Sequence, residues 1–194
     1  MVLLNNDFSA TVAGVASNDY DTRHGKLYAG NFTRYIVNEV AKNLDYEGGD
    51  YALINPERQA IHESQRVKRV QAFNLSTPSV LVTISARLNH VSGIYIYSNQ
   101  RAGSGVFSEM LKKEMKALGE AYNLNVNRPT YSYEHEHSIL NKVSCPSFII
   151  YLGGLPLDGN TLINPRYQED AAYAITNTIT SWLHYQKTTK AEYL

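Results

Sequence analysis

Apolar residues recur along the chain at two alternating spacings, period two and period 3.6, and each switch marks a change of element. Ser9 to Ala16 (SATVAGVA) reads as a first strand, and the polar stretch from Ser17 to Gly30 reads as a loop. Asn31 to Leu44 then brings Phe32, Tyr35, Ile36, Val40 and Leu44 onto one helical face. Tyr51 to Ile54 predicts a short strand and Glu63 to Phe73 a helix. Ser79 to Ser85 (SVLVTIS), rich in β-branched residues, predicts a central buried strand. Pro56 and Pro78 fall at the joins. Gly93 to Tyr97 (GIYIY) alternates as a strand nearer an edge does. Ser104 to Leu118 predicts a helix, capped by Ser104, with Val106, Phe107, Met110, Leu111, Met115 and Leu118 inward. Phe148 to Tyr151 is a last core strand, Gly153 to Pro165 a loop, and Gln168 to Tyr185 a closing helix facing inward through Ala172, Ile175, Ile179, Trp182 and Leu183. Strands alternating with helices predict an α/β fold of three layers: a mixed, mostly parallel sheet with helices on both faces.

Composition narrows the partners. The 194 residues carry 18 basic and 18 acidic side chains, and their length suits a single domain spanning 1–194. No basic cluster exceeds Arg66, Lys68 and Arg69, so a nucleic acid is not an expected partner. Hydrophobic content of 43% excludes a disordered chain, and no run of about 18 apolar residues exists to insert into a membrane. Met1 to Phe8 lacks the charged and apolar regions of a secretory signal, so the expected location is the cytoplasm or an assembled particle. Cys145, the one cysteine, lies between Ser144 and Pro146 at the entrance to an apolar strand, where a buried structural thiol is expected.

Several local patterns then occur in a telling order. Arg69, Phe73-Asn74 and Val80 to Ser85 are followed by Gly93-Ile-Tyr-Ile-Tyr97, by Ser138-Ile-Leu140, by Pro146-Ser-Phe-Ile-Ile-Tyr151, and by Asn164-Pro165 with the closing helix. In that order and spacing the chain resembles the zinc-dependent N-acetylmuramoyl-L-alanine amidases over nearly its whole length. These enzymes cleave the bond between the glycan and the stem peptide of peptidoglycan. The resemblance implies a zinc held by two His and one Glu, with a second Glu as general base. It places those four functions at Val15 (after Gly14), Asn31, Ser85 (after Thr83-Ile84) and Tyr151, none of which is the required residue, while Glu39 stands too deep in its helix to serve. The implied protein is therefore a pseudoenzyme without zinc or another cofactor: an amidase fold kept as a structural or binding subunit, in a phage particle or another cell-wall-associated assembly. Its expected partner is a protein, including a second copy of itself, or a peptidoglycan fragment.

Other residues offer competing chemistry. In Tyr133-Glu134-His135-Glu136-His137 an extended backbone would turn His135 and His137 to one side, and His90 supplies a third ligand for a rearranged zinc site in an active amidase. The same stretch also reads as a polar loop leading into a helix. His24 belongs to a loop, and His62 and His184 to helix surfaces or ends. Gly103-Ser-Gly105 and Leu152-Gly-Gly-Leu155 read as turns, and a hydrolase built on Ser85 or Cys145 lacks a base at a defined spacing. The 15 tyrosines, with Tyr95 and Tyr97 on one side of a strand and Tyr131 and Tyr133 on one side of another if it is extended, suit an interface as well as ordinary packing.

Overall fold

The structure, a computed structural model, describes residues 1–7, 19–56, 61–73, 79–99, 101, 103–127, 130–131 and 138–191. Its elements run β1 (Val2–Asn6), β2 (Asp19–Thr22), β3 (Gly25–Tyr28), α1 (Ala29–Tyr46), β4 (Tyr51–Leu53), α2 (Glu63–Ala72), β5 (Val80–Arg87) and β6 (Tyr95–Ser98). They continue through α3 (Ser104–Tyr122), β7 (Thr130–Tyr131), α4 (Ser138–Asn141), β8 (Ser147–Gly154), α5 (Leu155–Leu162) and α6 (Pro165–Ala191). A six-stranded sheet in the order β4-β1-β5-β8-β6-β7 forms the middle layer, and β2 and β3 make a separate antiparallel hairpin. β4, β1, β5 and β8 are mutually parallel, while β6 is antiparallel to β8 and parallel to β7, so that β6 and β7 run the other way. The expected mixed, mostly parallel sheet with helices on both faces is the architecture found.

Both sides of β5 are covered, so that even Thr83 and Ser85 on its more polar side are buried. Val80, Val82, Ile84 and Ala86 point into the cluster built with α1, α3 and α6, around Phe107, Phe148, Tyr167 and Trp182. Leu81 points the other way, toward Val67 and Val70 of α2 and Ile139 and Leu140 of α4. With each buried Val, Leu or Ile worth about 1.5–3 kcal/mol, the two-sided burial of this strand and of β8 fixes the sheet's centre. α2 starts with a capping box: Nδ1 of His62 accepts the Ser64 amide, and Oε1 of Gln65 accepts the His62 amide. His62 is thus helix-terminal, as expected.

Five expectations need correction. The first strand is Val2–Asn6, and residues 9–16 lie outside the described residues. β1 escapes an apolar count because its second half is asparagine: Asn5 is buried and its amide donates to Thr83 Oγ1 at 3.1 Å, so polar residues are tolerated inside the sheet. The stretch from Ser17 to Gly30 contains the β2–β3 hairpin, turned through Arg23 and His24 and closed by Gly25, whose φ of +116° favours glycine. Gly153 to Pro165 is mostly α5, which carries Pro156 in its first turn, where a missing amide costs least. Ser104 does not cap α3 by bonding its first turn; Gly103 precedes the helix in the left-handed region, and the buried Ser104 hydroxyl donates to Asn99 Oδ1 at 3.2 Å. On α1, Tyr35 stands 36% exposed, outside the buried stripe of Phe32, Ile36, Val40 and Leu44.

α6 is joined to the sheet by a pair of tyrosines. Tyr167 is fully buried with its hydroxyl donating to the Leu152 carbonyl, and its ring meets Tyr122 edge-on at 4.9 Å. Tyr122 donates to Asp170 at 2.6 Å, and desolvation, with that bond second, pushes its pKa up to about 12. Burial likewise raises Tyr167. A phenol whose folded pKa lies above the unfolded value of about 10 stabilises the fold fully below that value. The contribution is lost as pH rises through the folded value. Stability should therefore be flat with respect to these groups up to about pH 10 and fall between there and the Tyr122 value of about 12. Absorbance at 295 nm should show most of the 15 tyrosines ionising first and the remainder only with loss of ellipticity. Smooth titration of all of them in a folded protein would contradict it.

Candidate functional site

In open α/β sheets, side chains just beyond the carboxyl ends of parallel strands are exposed on a rigid platform, and ligands bind there. In this sheet, four strands place one side chain each in a row across that end. The Asp7 amide continues β1 by donating to the Ile84 carbonyl at 3.0 Å. Ser85 on β5 is in register with Tyr151 on β8, and Tyr151 with Tyr95 on β6. In-register neighbours share a face, so Ser85, Tyr151 and Tyr95 lie side by side, and Arg87 and Tyr97, each two residues along, join them. Between Ser85 and Arg87 the pairing with β8 slips, with Arg87 opposite Gly154. That bulge, where Gly153 takes φ +153°, re-aims the strand ends beside the site.

A polar chain links the row. Arg66 of α2, 8% exposed, donates to the Asn6 and Asp7 carbonyls and pairs with the Asp7 carboxylate at 3.2 Å. The buried Ser85 hydroxyl donates to the other Asp7 oxygen at 2.8 Å. Burial is the main force raising the Tyr151 pKa well above its ordinary value, with the Asp7 charge adding to it; Arg87 and a hydrogen bond with Ser85 pull the other way. Arg87 lies over the Tyr95 ring at 4.0 Å from its centroid, with Tyr151 at 5.1 Å and Tyr97 at 5.5 Å, and donates to the Tyr97 hydroxyl. Tyr97 meets Tyr151 edge-on at 5.8 Å. Among the described residues, Arg66 has the Asp7 carboxylate as its partner, whereas Arg87 meets tyrosine rings and a phenol hydroxyl.

A second carboxylate shapes the rim. Asp158 of α5, 6% exposed, accepts from the Ser92 hydroxyl at 2.6 Å and from the Gly93 and Gly154 amides at 2.9 and 2.8 Å. It therefore ties the end of β8 to the loop before β6. The β2–β3 hairpin packs on the same helix, with the Arg23 amide donating to Asn160 Oδ1 at 2.9 Å.

Of the sequence candidates, Ser85 and Tyr151 come together in this row. Asn31 stands exposed in the first turn of α1. Val15, His135 and His137 lie outside the described residues, as does Tyr133. His90 is exposed in the connection between β5 and β6, His24 in the hairpin turn, and His184 on α6. Cys145 is buried, and its thiol is pushed up by desolvation, which suits a structural role. Sequence reasoning missed Asp7, Arg66 and Arg87. The signal for Arg87 was its position two residues past Ser85, on the same side of an extended strand.

The donors in this row do not fit zinc. Zinc is held by Cys, His and carboxylate ligands, whereas the row supplies one carboxylate already engaged by Arg66 and Ser85, a serine hydroxyl and phenols. Among the described residues no three His, Cys, Asp or Glu side chains gather.

No family model matches the chain, and no curated protein does. Solved structures do. The catalytic domain of the N-acetylmuramoyl-L-alanine amidase CwlV from Bacillus (Paenibacillus) polymyxa var. colistinus is similar at a TM-score of 0.74 and 21% identity, over 94% of this chain and 98% of that one. The N-acetylmuramyl-L-alanine amidase of Mycobacterium smegmatis is similar at a TM-score of 0.75 and 15% identity, over 95% and 97%. The CwlD amidase from Clostridioides difficile, solved in complex with the GerS lipoprotein, is similar at 0.72 and 16%, over 95% and 98%. The chain therefore has the α/β fold of the peptidoglycan amidases.

Proposed function

We propose that this amidase-fold chain does not hydrolyse peptidoglycan and serves instead as a binding or structural subunit, in a phage particle or another cell-wall-associated assembly. The observation that carries the reading is the content of the cleft at the strand ends. On this reading Asp7, at the end of β1, and Ser85 stand where the enzymes would hold metal ligands, and Tyr151 where they would hold the base. The Asp7 carboxylate is engaged by Arg66 and Ser85, and a serine hydroxyl and a phenol are poor ligands for zinc. Tyr151, raised further from neutrality by burial, keeps its proton and cannot take one from water. The CwlD structure, an amidase bound to a lipoprotein, supports a protein partner as one use of such a scaffold.

Incubation with purified sacculi, with and without added zinc, tests the reading. No new alanine amino termini should appear above buffer, while a wild-type amidase run in parallel releases them. Zinc-dependent release by this chain would overturn the proposal.

A further inference from the structure

An arginine held among aromatic rings is an unusual thing to keep half-buried. Removing a guanidinium from water is costly unless charge or hydrogen bonds compensate it. Arg87 has three tyrosine rings and the Tyr97 hydroxyl, but no carboxylate among the described residues pairs with it, and its Nε is buried without a hydrogen-bond partner. Cation–π contacts recover only about 0.5–2 kcal/mol each. The one carboxylate of the row, Asp7, is already committed to Arg66 and Ser85. Tyr95, Tyr97 and Tyr151 are each half-buried, so the basket opens to solvent at the strand ends.

We infer that Arg87 and the rings of Tyr95, Tyr97 and Tyr151 form a binding site for a carboxylate-bearing peptide ligand. The planar guanidinium offers in-plane donors matched to a carboxylate, and its orientation is fixed because Tyr95 covers one of its faces. Tyrosine rings around it supply apolar walls for the atoms next to the carboxylate at little entropic cost. Arg66 does not compete for the ligand, since its terminal nitrogen NH1 is spent on β1. A free chain terminus and an acidic side chain present the same group, and they are separated by the probes below. The inference deepens the binding role proposed above and rests on it for its biological sense, but not for its geometry.

The test is an NMR titration of the full chain, following the arginine Nε–H resonance that ring currents shift in wild type and that Arg87→Met removes. Probes are N-acetyl-L-alanine, its amide N-acetyl-L-alaninamide, and N-acetyl-L-glutamic acid α-amide. Saturable shifts are expected with at least one carboxylate, with the amide at least tenfold weaker because the charge-assisted bonds are lost. Alanine exceeding the glutamic acid probe indicates a chain terminus, and the reverse an acidic side chain. Tyrosine fluorescence should show binding lost in Arg87→Met and weakened in Arg87→Lys, which keeps charge but not the fork. If Arg87→Met fails to fold, the carboxylate-against-amide comparison on wild type decides alone. Equal binding of the amide, no saturable shift up to about 100 mM, a limit weaker than a free energy of about −1.4 kcal/mol, or unchanged affinity in a folded Arg87→Met would overturn the site. Hydrolysis of sacculi would overturn the non-catalytic reading while leaving a carboxylate-selective shift intact, so the two failures are distinguishable.

Discussion

Asp158→Ala should lower the free energy of unfolding by about 4 kcal/mol, the range for removing a buried charged acceptor from several donors. The carboxylate is the shared acceptor for Ser92, Gly93 and Gly154, and the two amides it serves are buried. Alanine leaves both amides unpaired, and the surrounding backbone has little freedom to find other partners. A side chain added at Gly154 would meet the Val91 carbonyl at 1.9 Å, and one at Gly93 the Asn125 carbonyl at 2.4 Å. The loop and the end of β8 are thus in backbone contact at Gly154 and Val91, with Asp158 bonded to both segments. Asp158→Asn keeps an acceptor oxygen but turns an amino group toward donors, so it should fall between wild type and alanine. Urea denaturation at constant m checks both, and a loss under about 1 kcal/mol for alanine would mean that water replaces the carboxylate.

The second large effect is expected at Arg66. Arg66→Met keeps the stem packed on α2 but removes its bonds to the Asn6 and Asp7 carbonyls and to the Asp7 carboxylate, at a cost of about 3 kcal/mol for a nearly buried ion pair broken from one side. Much of that cost is the Asp7 carboxylate left with Ser85 alone. The same substitution made in an Asp7→Asn background should therefore cost at least about 1 kcal/mol less, as expected for two groups in direct contact. Additive losses would show that Arg66 acts through its bonds to the Asn6 and Asp7 carbonyls rather than through the ion pair.

How far the sequence reaches can be judged from these same residues. β5, α2, α3 and α6 were legible because their apolar spacing is long and each face has a helix or strand to meet. α4 was legible through Ser138-Ile-Leu140. β1 was not, since Asn5 and Asn6 look like the end of a strand until Thr83 is seen across from Asn5. α5 was hidden by Gly153, Gly154, Pro156 and Gly159, which read as loop residues although proline in a first turn is a helix signal. The hairpin was hidden because β2 and β3 are four residues each and mostly polar. The candidate site followed the same division. Ser85 and Tyr151 lie on legible strands, and family resemblance pointed to both. Asp7 lies past the strand that was missed, and Arg66 was read only as part of a basic cluster. The role of Arg87 depends on three tyrosines from two other strands, a coincidence of register that no local pattern announces.

Zinc content decides whether the cleft at the strand ends holds a metal. Purified protein would be dialysed against zinc, then against metal-free buffer, and its zinc measured by elemental analysis. Far less than one zinc per chain is expected, unchanged by Ser85→Ala. Near-equimolar zinc that disappears when His135 and His137 are changed to alanine would contradict that expectation.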